Sequence, residues 1–417
     1  MRVKDPFDDI DLGKRKAVLY TACIALLLVA YTMVFPTQAA LIGMILAFFV
    51  MIMLHEFGHF TMAKRADMKV TEFFVGFGPR LWTKTKGETE YGVKAIPLGG
   101  YCKVIGMTNL DDIAPEDEPR TYRSKTWFQK VRMAAAGPAV HFMIAGVLIF
   151  CVLFFAGDYR AQKLTTTLSD VSAGAAAAHL QKGDQIIAID NQPVKSWNDV
   201  HTIVAGPKDH PRVAGDTVSV EYQRGGVVNT VNVTLQTSTD SGPKRVVVGI
   251  APQVSSLPHP GVLAAVAESP KQEFDIGWSS LKAVGTMFSP SGIANYFHIL
   301  SGDKSKSVNQ DQRFVSPVGF GQLANDAVKA GWVDALGLLI AINIFVGLFN
   351  LLPLLPFDGG HIAVASYEAV MSKIRRRRVQ VDFAKLMPVM VAVFAIFGFI
   401  AISSLFLDIT NPVKSPF

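Results

Sequence analysis

His55-Glu56-Phe57-Gly58-His59 closes the apolar run Ala39–Phe60, AALIGMILAFFVMIMLHEFGHF. The run is long enough to cross a bilayer at about 1.5 Å per helical residue. On a helix, H-E-x-x-H sets two imidazoles one turn apart on one face. That spacing suits two ligands of a single zinc ion, with Glu56 between them as general base. The motif also arises by chance, and a helical His or Glu is usually just solvated. Here no other charge stands between Ala39 and His55. An ionisable group inside a membrane helix is costly and is a functional candidate by default.

The 417 residues are 50% hydrophobic and 18% charged, whereas soluble domains carry about a quarter charged. This balance points to a polytopic membrane protein with room for one soluble module. The net charge of +6 is concentrated in clusters such as Lys14-Arg15-Lys16 and Arg375-Arg376-Arg377-Arg378. Apolar runs flank the arginine cluster, so it reads as a positive-inside anchor and no nucleic-acid partner is expected. Of the three cysteines, Cys23, Cys102 and Cys151, none falls in Gly157–Gln253. No disulfide framework is implied, and no thiol cluster competes with His55 and His59 for a metal. The first apolar run follows sixteen polar residues and ends in Phe35-Pro36 without a small-residue cleavage site. No cleavable signal peptide is expected.

Five segments pass the length test for spanning: Ala17–Phe35, Ala39–Phe60, Ala134–Ala156, Trp332–Leu352 and Leu386–Leu407. The Lys/Arg bias of the short loops puts the N-terminus, the loop after the second span and Arg375–Arg378 in the cytosol. Five crossings then leave the region 157–331 and the C-terminus outside. The expected division is a cytosolic N-terminus 1–16, an extra transmembrane helix 17–35 and a transmembrane helix with the motif at 39–63. A cytosolic loop 69–133 and a transmembrane helix 134–156 follow. An extracytosolic domain 160–253 and extracytosolic amphipathic helices 257–331 come next, with Phe274–Met287 and Ser291–Ile299 as candidates. The last two spans are 332–361 and 385–407.

In the cytosolic loop, Val75–Trp82 and Tyr91–Tyr101 flank Lys86-Gly87-Glu88 and read as a β-hairpin. It starts about a dozen residues after His59, so it must sit at the membrane surface near the metal. In Leu164–Gln253, a Gly183-Asp184 turn feeds an alternating strand, Asp190-Asn191 makes the next turn, and a hairpin surrounds Arg224-Gly225-Gly226. This order looks like a circularly permuted PDZ domain, which binds extended peptides by strand addition or serves as a steric plug.

The second half of the site is Asn350-Leu351-Leu352-Pro353-Leu354-Leu355-Pro356-Phe357-Asp358-Gly359-Gly360-His361. Pro353 and Pro356 end the helix, and Asp358 is expected in an unwound stretch before two glycines. Irregular backbone at membrane depth is tolerated where it lines a cavity or the protein interior. A carboxylate there suits a third ligand, and a catalytic zinc keeps three protein ligands and an open position.

The H-E-F-G-H span, the PDZ-like module and N-x-x-P-x-x-P-x-D-G-G together resemble the site-2 protease family, in its bacterial branch of regulators of sigma-E. Gly76-Phe77-Gly78-Pro79 and Ile96-Pro97-Leu98-Gly99-Gly100-Tyr101 are similar to that branch too. The resemblance covers roughly Ala39 to Leu407. It implies Zn2+ held by His55, His59 and Asp358, Glu56 as base, and Asn350 and Pro353 lining the active site. It also implies that the membrane-associated hairpin, with Gly76, Phe77 and Gly78, receives substrate as an added strand. Together with the five apolar runs, the expected fold is a polytopic α-helical membrane protein of about five transmembrane helices with a membrane-associated β-hairpin and an inserted extracytosolic PDZ domain. The implied activity is intramembrane cleavage of single-span proteins, such as anti-sigma factors, in regulated intramembrane proteolysis at a bacterial inner membrane. The active site would face the cytosolic side, and a peptide is the expected PDZ ligand.

The span Ala17–Phe35 is extra to the four-span family core. Leu355 and Phe357 stand where the family often has Pro and Leu, and His141 stands where many members carry Asn. His141 is expected to be packed or hydrogen-bonded, and His361 to point away from the metal. The rival readings are a non-catalytic membrane PDZ adaptor and a transporter. The intact Glu56 argues against the first. The second should show internal repeats with matched broken helices, which the sequence lacks.

Overall fold

The structure is a computed structural model that describes residues 36–108, 113–172, 175, 179–207, 209–237, 246–303, 309 and 312–413. The expected N-terminal segment 1–16 and span 17–35 lie outside the described residues. The chain divides into two compact units, 1–152 with 263–417, and 153–262.

The first unit holds α1 (Pro36–Arg65), β1 (Val70–Lys86), β2 (Thr89–Val104) and α2 (Trp127–Cys151). Among the described residues, four helices are long and apolar enough to cross a membrane: Ala40–Arg65, Trp127–Ala156, Trp332–Asn350 and Phe383–Thr410. Helix α2 begins earlier than its apolar run suggests. A capping box between Thr126 and Gln129 satisfies its first N–H groups, so the helix starts at Trp127 although apolar residues dominate only from Ala134.

Strands β1 and β2 form more than a plain hairpin. Arg80–Lys86 pairs with Thr89–Lys94, while Val70–Val75 pairs with Gly100–Val104 on one side and with Glu90–Val93 on the other. The chain reverses at Gly76 and Gly78, whose φ angles of 82° and 85° suit glycine. The result is a curled sheet that packs Phe73 and Tyr91 against Phe60 of α1. Its turn is clamped by ions. Glu88 accepts two hydrogen bonds from Arg120, at 2.6 and 2.9 Å, and pairs with Lys64 at the end of α1. Burial alone would raise the Glu88 carboxyl, but the hydrogen bonds from Arg120 and then Lys64 hold it at about 2.

The second unit carries β3 (Leu164–Val171), β4 (Gln185–Ile189), β5 (Gln192–Pro193), α3 (Trp197–Ala205), β6 (Thr217–Arg224) and β7 (Val227–Thr234). A short pair, β8 (Gln236–Thr237) with β9 (Val246–Val247), and β10 (Ile250–Val254) complete it. The main strand order is β10-β3-β4-β6-β7, with β5 beside β4. Asp190 and Asn191, at φ of 48° and 62°, make the tight turn between β4 and β5. Leu168, Ile186, Ile189, Val218, Val220 and Val233 fill the core.

The first unit resumes with α4 (Val262–Met287), α5 (Pro290–Leu300), α6 (Pro317–Ala330), α7 (Trp332–Asn350), α8 (Asp358–Arg375) and α9 (Phe383–Thr410). Three expectations need correction. The amphipathic helix expected at Phe274–Met287 begins twelve residues earlier, at Val262, and Pro270 is accommodated inside it. The span expected at 332–361 is broken: α7 stops at Asn350, Leu351–Phe357 is turn and bend, and a new helix starts at Asp358. Asp358 is therefore the first residue of α8 and not part of an unwound stretch. The prolines end α7 as expected, but an acidic side chain in a first helical turn is stabilised by the helix dipole. That favours a restart at Asp358.

Two buried ion pairs tie these helices together. Lys130 of α2 meets Glu368 of α8 at 2.8 Å. Arg313 meets Asp408 of α9 at 2.8 Å, with the pair 4% and 0% exposed. Asp408 also accepts the backbone N–H of Ser316, which caps α6.

Candidate active site

His55 and His59 lie one turn apart on α1, and both are buried. Their Nε2 atoms are 3.0 Å from each other, and each is 3.4 Å from Asp358 Oδ2. A tetrahedral zinc with ligands about 2.0–2.1 Å away would hold them roughly 3.3 Å apart. Two neutral imidazole lone pairs and a carboxylate converging at that spacing fit one divalent cation. Among the described residues, this trio is the group of His, Cys and acidic side chains arranged to hold a metal.

The surroundings fix the ligands. The carbonyl of Met133 lies 2.8 Å from His59 Nδ1. A carbonyl only accepts, so Nδ1 carries the proton and leaves the Nε2 lone pair free for a metal. Gly137 of α2 faces both rings, where an added Cβ would fall 2.6 Å from His55 Nε2. Only glycine lets α2 approach the ligands this closely. His55 Nδ1 is buried without a hydrogen-bond partner among the described residues.

Glu56, one residue on from His55, lines the same cavity and faces β2. Its carboxylate accepts the backbone N–H of Cys102, and a Cβ at Gly100 would stand 3.4 Å from Glu56 Cγ. Gly100 and Cys102 share a face because strand side chains alternate. Burial pushes the Cys102 thiol up to about 12.

A cavity of about 330 Å³ joins these groups. Its walls include Glu56, Asp358, Tyr101, His141, Asn350 and Pro356. Asn350 lines this cavity, whereas Pro353 is exposed in the turn and Pro356 is the proline on the wall. Gly76, Phe77 and Gly78 stand one layer out. Phe77 stacks on Tyr101 with ring centroids 6.2 Å apart, and its outer face is exposed. His141 Nδ1 is 3.1 Å from Asn343 Oδ1, and Asn343 Nδ2 donates to Leu339 O, so the histidine donates. It is a hydrogen-bonded wall residue whose ring centroid sits 4.9 Å from that of His55. His361 also lines the cavity, its ring 6.4 Å from that of Tyr122 and 6.3 Å from that of Phe383.

Sequence reasoning missed Tyr101, Cys102, Gly137 and the Met133 carbonyl. The strand alternation through Gly100 and Cys102 was the available signal for Cys102. Nothing local marks the others.

Chemically, the arrangement offers three ligands with an open position, a carboxylate base beside it, and an apolar enclosure. The chain matches peptidase family M50 over residues 43–398. It is 33% identical over 410 residues to zinc metalloprotease Rip1 of Mycolicibacterium smegmatis, covering 88% of this chain and 97% of that protein. It is 25% identical over 446 residues to the regulator of sigma-E protease RseP of Salmonella typhimurium, covering 82% and 93%. Among solved structures, the PDZ domain of an SdrC-like protein from Listeria monocytogenes is 25% identical over 23% of this chain and 90% of its own. Its TM-score is 0.17, so the PDZ reading rests on the sequence and strand order alone.

Proposed function

The chain belongs to peptidase family M50, the site-2 proteases, as a zinc metalloendopeptidase, and from that premise we propose that it cuts single-span membrane proteins within or near their transmembrane segments. The observation that carries this reading is the convergence of His55, His59 and Asp358 within 3.0–3.4 Å between helices apolar enough to span a membrane.

In this reading His55, His59 and Asp358 hold the zinc. Zinc there supplies Lewis acidity and acidifies a water toward neutral pH. Glu56 takes the proton of the attacking water and passes it to the leaving amine. The Cys102 N–H holds the Glu56 carboxylate in position, and the Met133 carbonyl keeps the His59 ring in the ligating tautomer. Asn350 and Pro356 shape the cavity wall. An intact substrate helix hides its carbonyls in internal hydrogen bonds, so the segment must unwind. The exposed strand around Gly76, Phe77 and Gly78 receives it as an added strand.

The unit 153–262 acts as an extracytosolic PDZ domain that binds a peptide or blocks entry. The setting is a bacterial inner membrane with the metal toward the cytosolic side, as the Lys/Arg-rich loops favour. The process is regulated intramembrane proteolysis, with anti-sigma factors as candidate substrates.

The test is cleavage of a single-span substrate by the full chain in reconstituted membranes, wild type against Glu56→Gln, with zinc assayed in both. Cleavage lost with zinc retained is the expected result. Equal cleavage by both proteins would sink the assignment.

A further inference from the structure

Glu273, on α4, buries its carboxylate oxygen Oε1 without a hydrogen-bond partner among the described residues. The other oxygen faces Gly146 of α2, where an added Cβ would lie 3.1 Å from Oε2. Burial pushes this carboxyl above its ordinary range. The group belongs to neither the metal site nor any ion pair among the described residues.

Glu273 lies on the wall of two apolar grooves. One, of about 440 Å³, is lined by Met143, Val147 and Phe150 of α2 with Val266 of α4. The other, of about 340 Å³, runs between Phe142 of α2, Trp278 and Leu281 of α4, and Leu348 of α7. Phe142 adjoins His141, and Leu348 is two residues from Asn350, and both of those residues line the catalytic cavity. The grooves are therefore built on the same helices, α2 and α7, whose neighbouring residues wall the catalytic cavity.

An unpaired carboxylate in an apolar wall is unfavourable, and a cation brought against it relieves that cost. We propose that these grooves seat the apolar segment of the substrate and that Glu273 selects a segment carrying a lysine or arginine within its apolar run. The inference rests on the reading that the substrate is a single-span membrane protein. Basic residues inside membrane spans are rare, so one carboxylate here discriminates strongly. A wholly apolar segment leaves Glu273 unpaired and is held less well. Gly146 lies five residues beyond His141 on α2, about 7–8 Å along the axis. A lysine or arginine paired with Glu273 would then stand at about the depth of Gly146 on α2.

The experiment measures the affinity of the full chain, in the Glu56→Gln background and in nanodiscs, for three versions of one single-span substrate. The versions carry Lys, Leu or Glu at the same place in the apolar run. With Glu273 present, the Lys version should bind about tenfold tighter than the Leu version. Glu273→Gln should erase that preference, and Glu273→Lys should shift it to the Glu version. Equal affinity for Lys and Leu versions with Glu273 intact would overturn the proposal, as would a preference that survives in Glu273→Gln. The isosteric Gln variant decides the matter if the Lys variant does not fold. Binding is read without cleavage. An active Glu56 chain that cut none of the three would therefore count against the protease reading, while the affinities would still decide the role of Glu273.

Discussion

The backbone N–H of Cys102 donates to the carboxylate of Glu56, so a strand of the curled sheet, not the helix that carries Glu56, holds this proposed base in place. The thiol is a spectator. Cys102→Ala should keep near-normal cleavage, because the amide remains. Cys102→Pro removes the N–H and should lower kcat on the order of 10²-fold with zinc content unchanged. Normal turnover by the proline variant would show that Glu56 needs no such support. With the thiol held near 12, maleimide should label Cys102 slowly at neutral pH and readily once the chain is unfolded.

Gly137→Ala should empty the metal site. The methyl would collide with both imidazoles, and α2 has no room to retreat while Met133 holds His59. Metal analysis of the purified protein should find zinc well below one per chain. Gly43→Ala is the control, since an added Cβ at that position meets nothing within 4 Å. A full complement of zinc in Gly137→Ala would mean that the helices part more easily than their packing implies.

Glu88 makes stability depend on acid. Its folded pKa of about 2 lies below the ordinary 4.5. The pairing with Arg120 and Lys64 is therefore fully present above about pH 4.5 and is lost as the pH falls toward 2. Glu88→Gln should lower the stability of the sheet by about 1–2 kcal/mol at neutral pH, allowing for solvent screening. It should also flatten the acid loss between those two values. Thermal melts across that window would reveal the difference, and parallel curves for the two proteins would exclude the clamp.

Asp408→Ala strands the Arg313 guanidinium, which is 4% exposed. The expected destabilisation is about 3–5 kcal/mol, while Arg313→Leu with Asp408→Leu together should cost much less. A double-mutant comparison by detergent unfolding would settle which cost dominates.

The metalloprotease family and its zinc were legible because their signature is local: two histidines one turn apart, and a proline-broken Asp-Gly-Gly segment. The four long apolar helices were legible because length and apolarity suffice to mark them, although the start of α2 was not, since Thr126 and Gln129 set it from outside the apolar run. Asp358 was found but misplaced. Pro353 and Pro356 signal the end of one helix clearly, while the restart is signalled only by an acid in a first turn. The supports of the site were the least visible part. The Met133 carbonyl and the Cys102 amide are backbone groups, and any residue type would supply them. The turn at Lys86-Gly87-Glu88 announced a hairpin, but the further folding at Gly76 and Gly78 depends on pairing partners some twenty residues away.

The break at Leu351–Phe357 means that Asp358 is carried by a helix of its own, apart from the one that carries His55 and His59. These ligands come from opposite arms of the chain, with the whole of unit 153–262 inserted between the arms. A metal gripping all three would be a fastener as much as a reagent: it would close the stretch of chain from His59 to Asp358, insert included, into a loop. An ion that binds only the folded form adds about 2.7 kcal/mol when present at a hundred times its Kd. A protein nicked within the insert would be pinned at the metal site, and chelation would loosen the very joint on which hydrolysis depends.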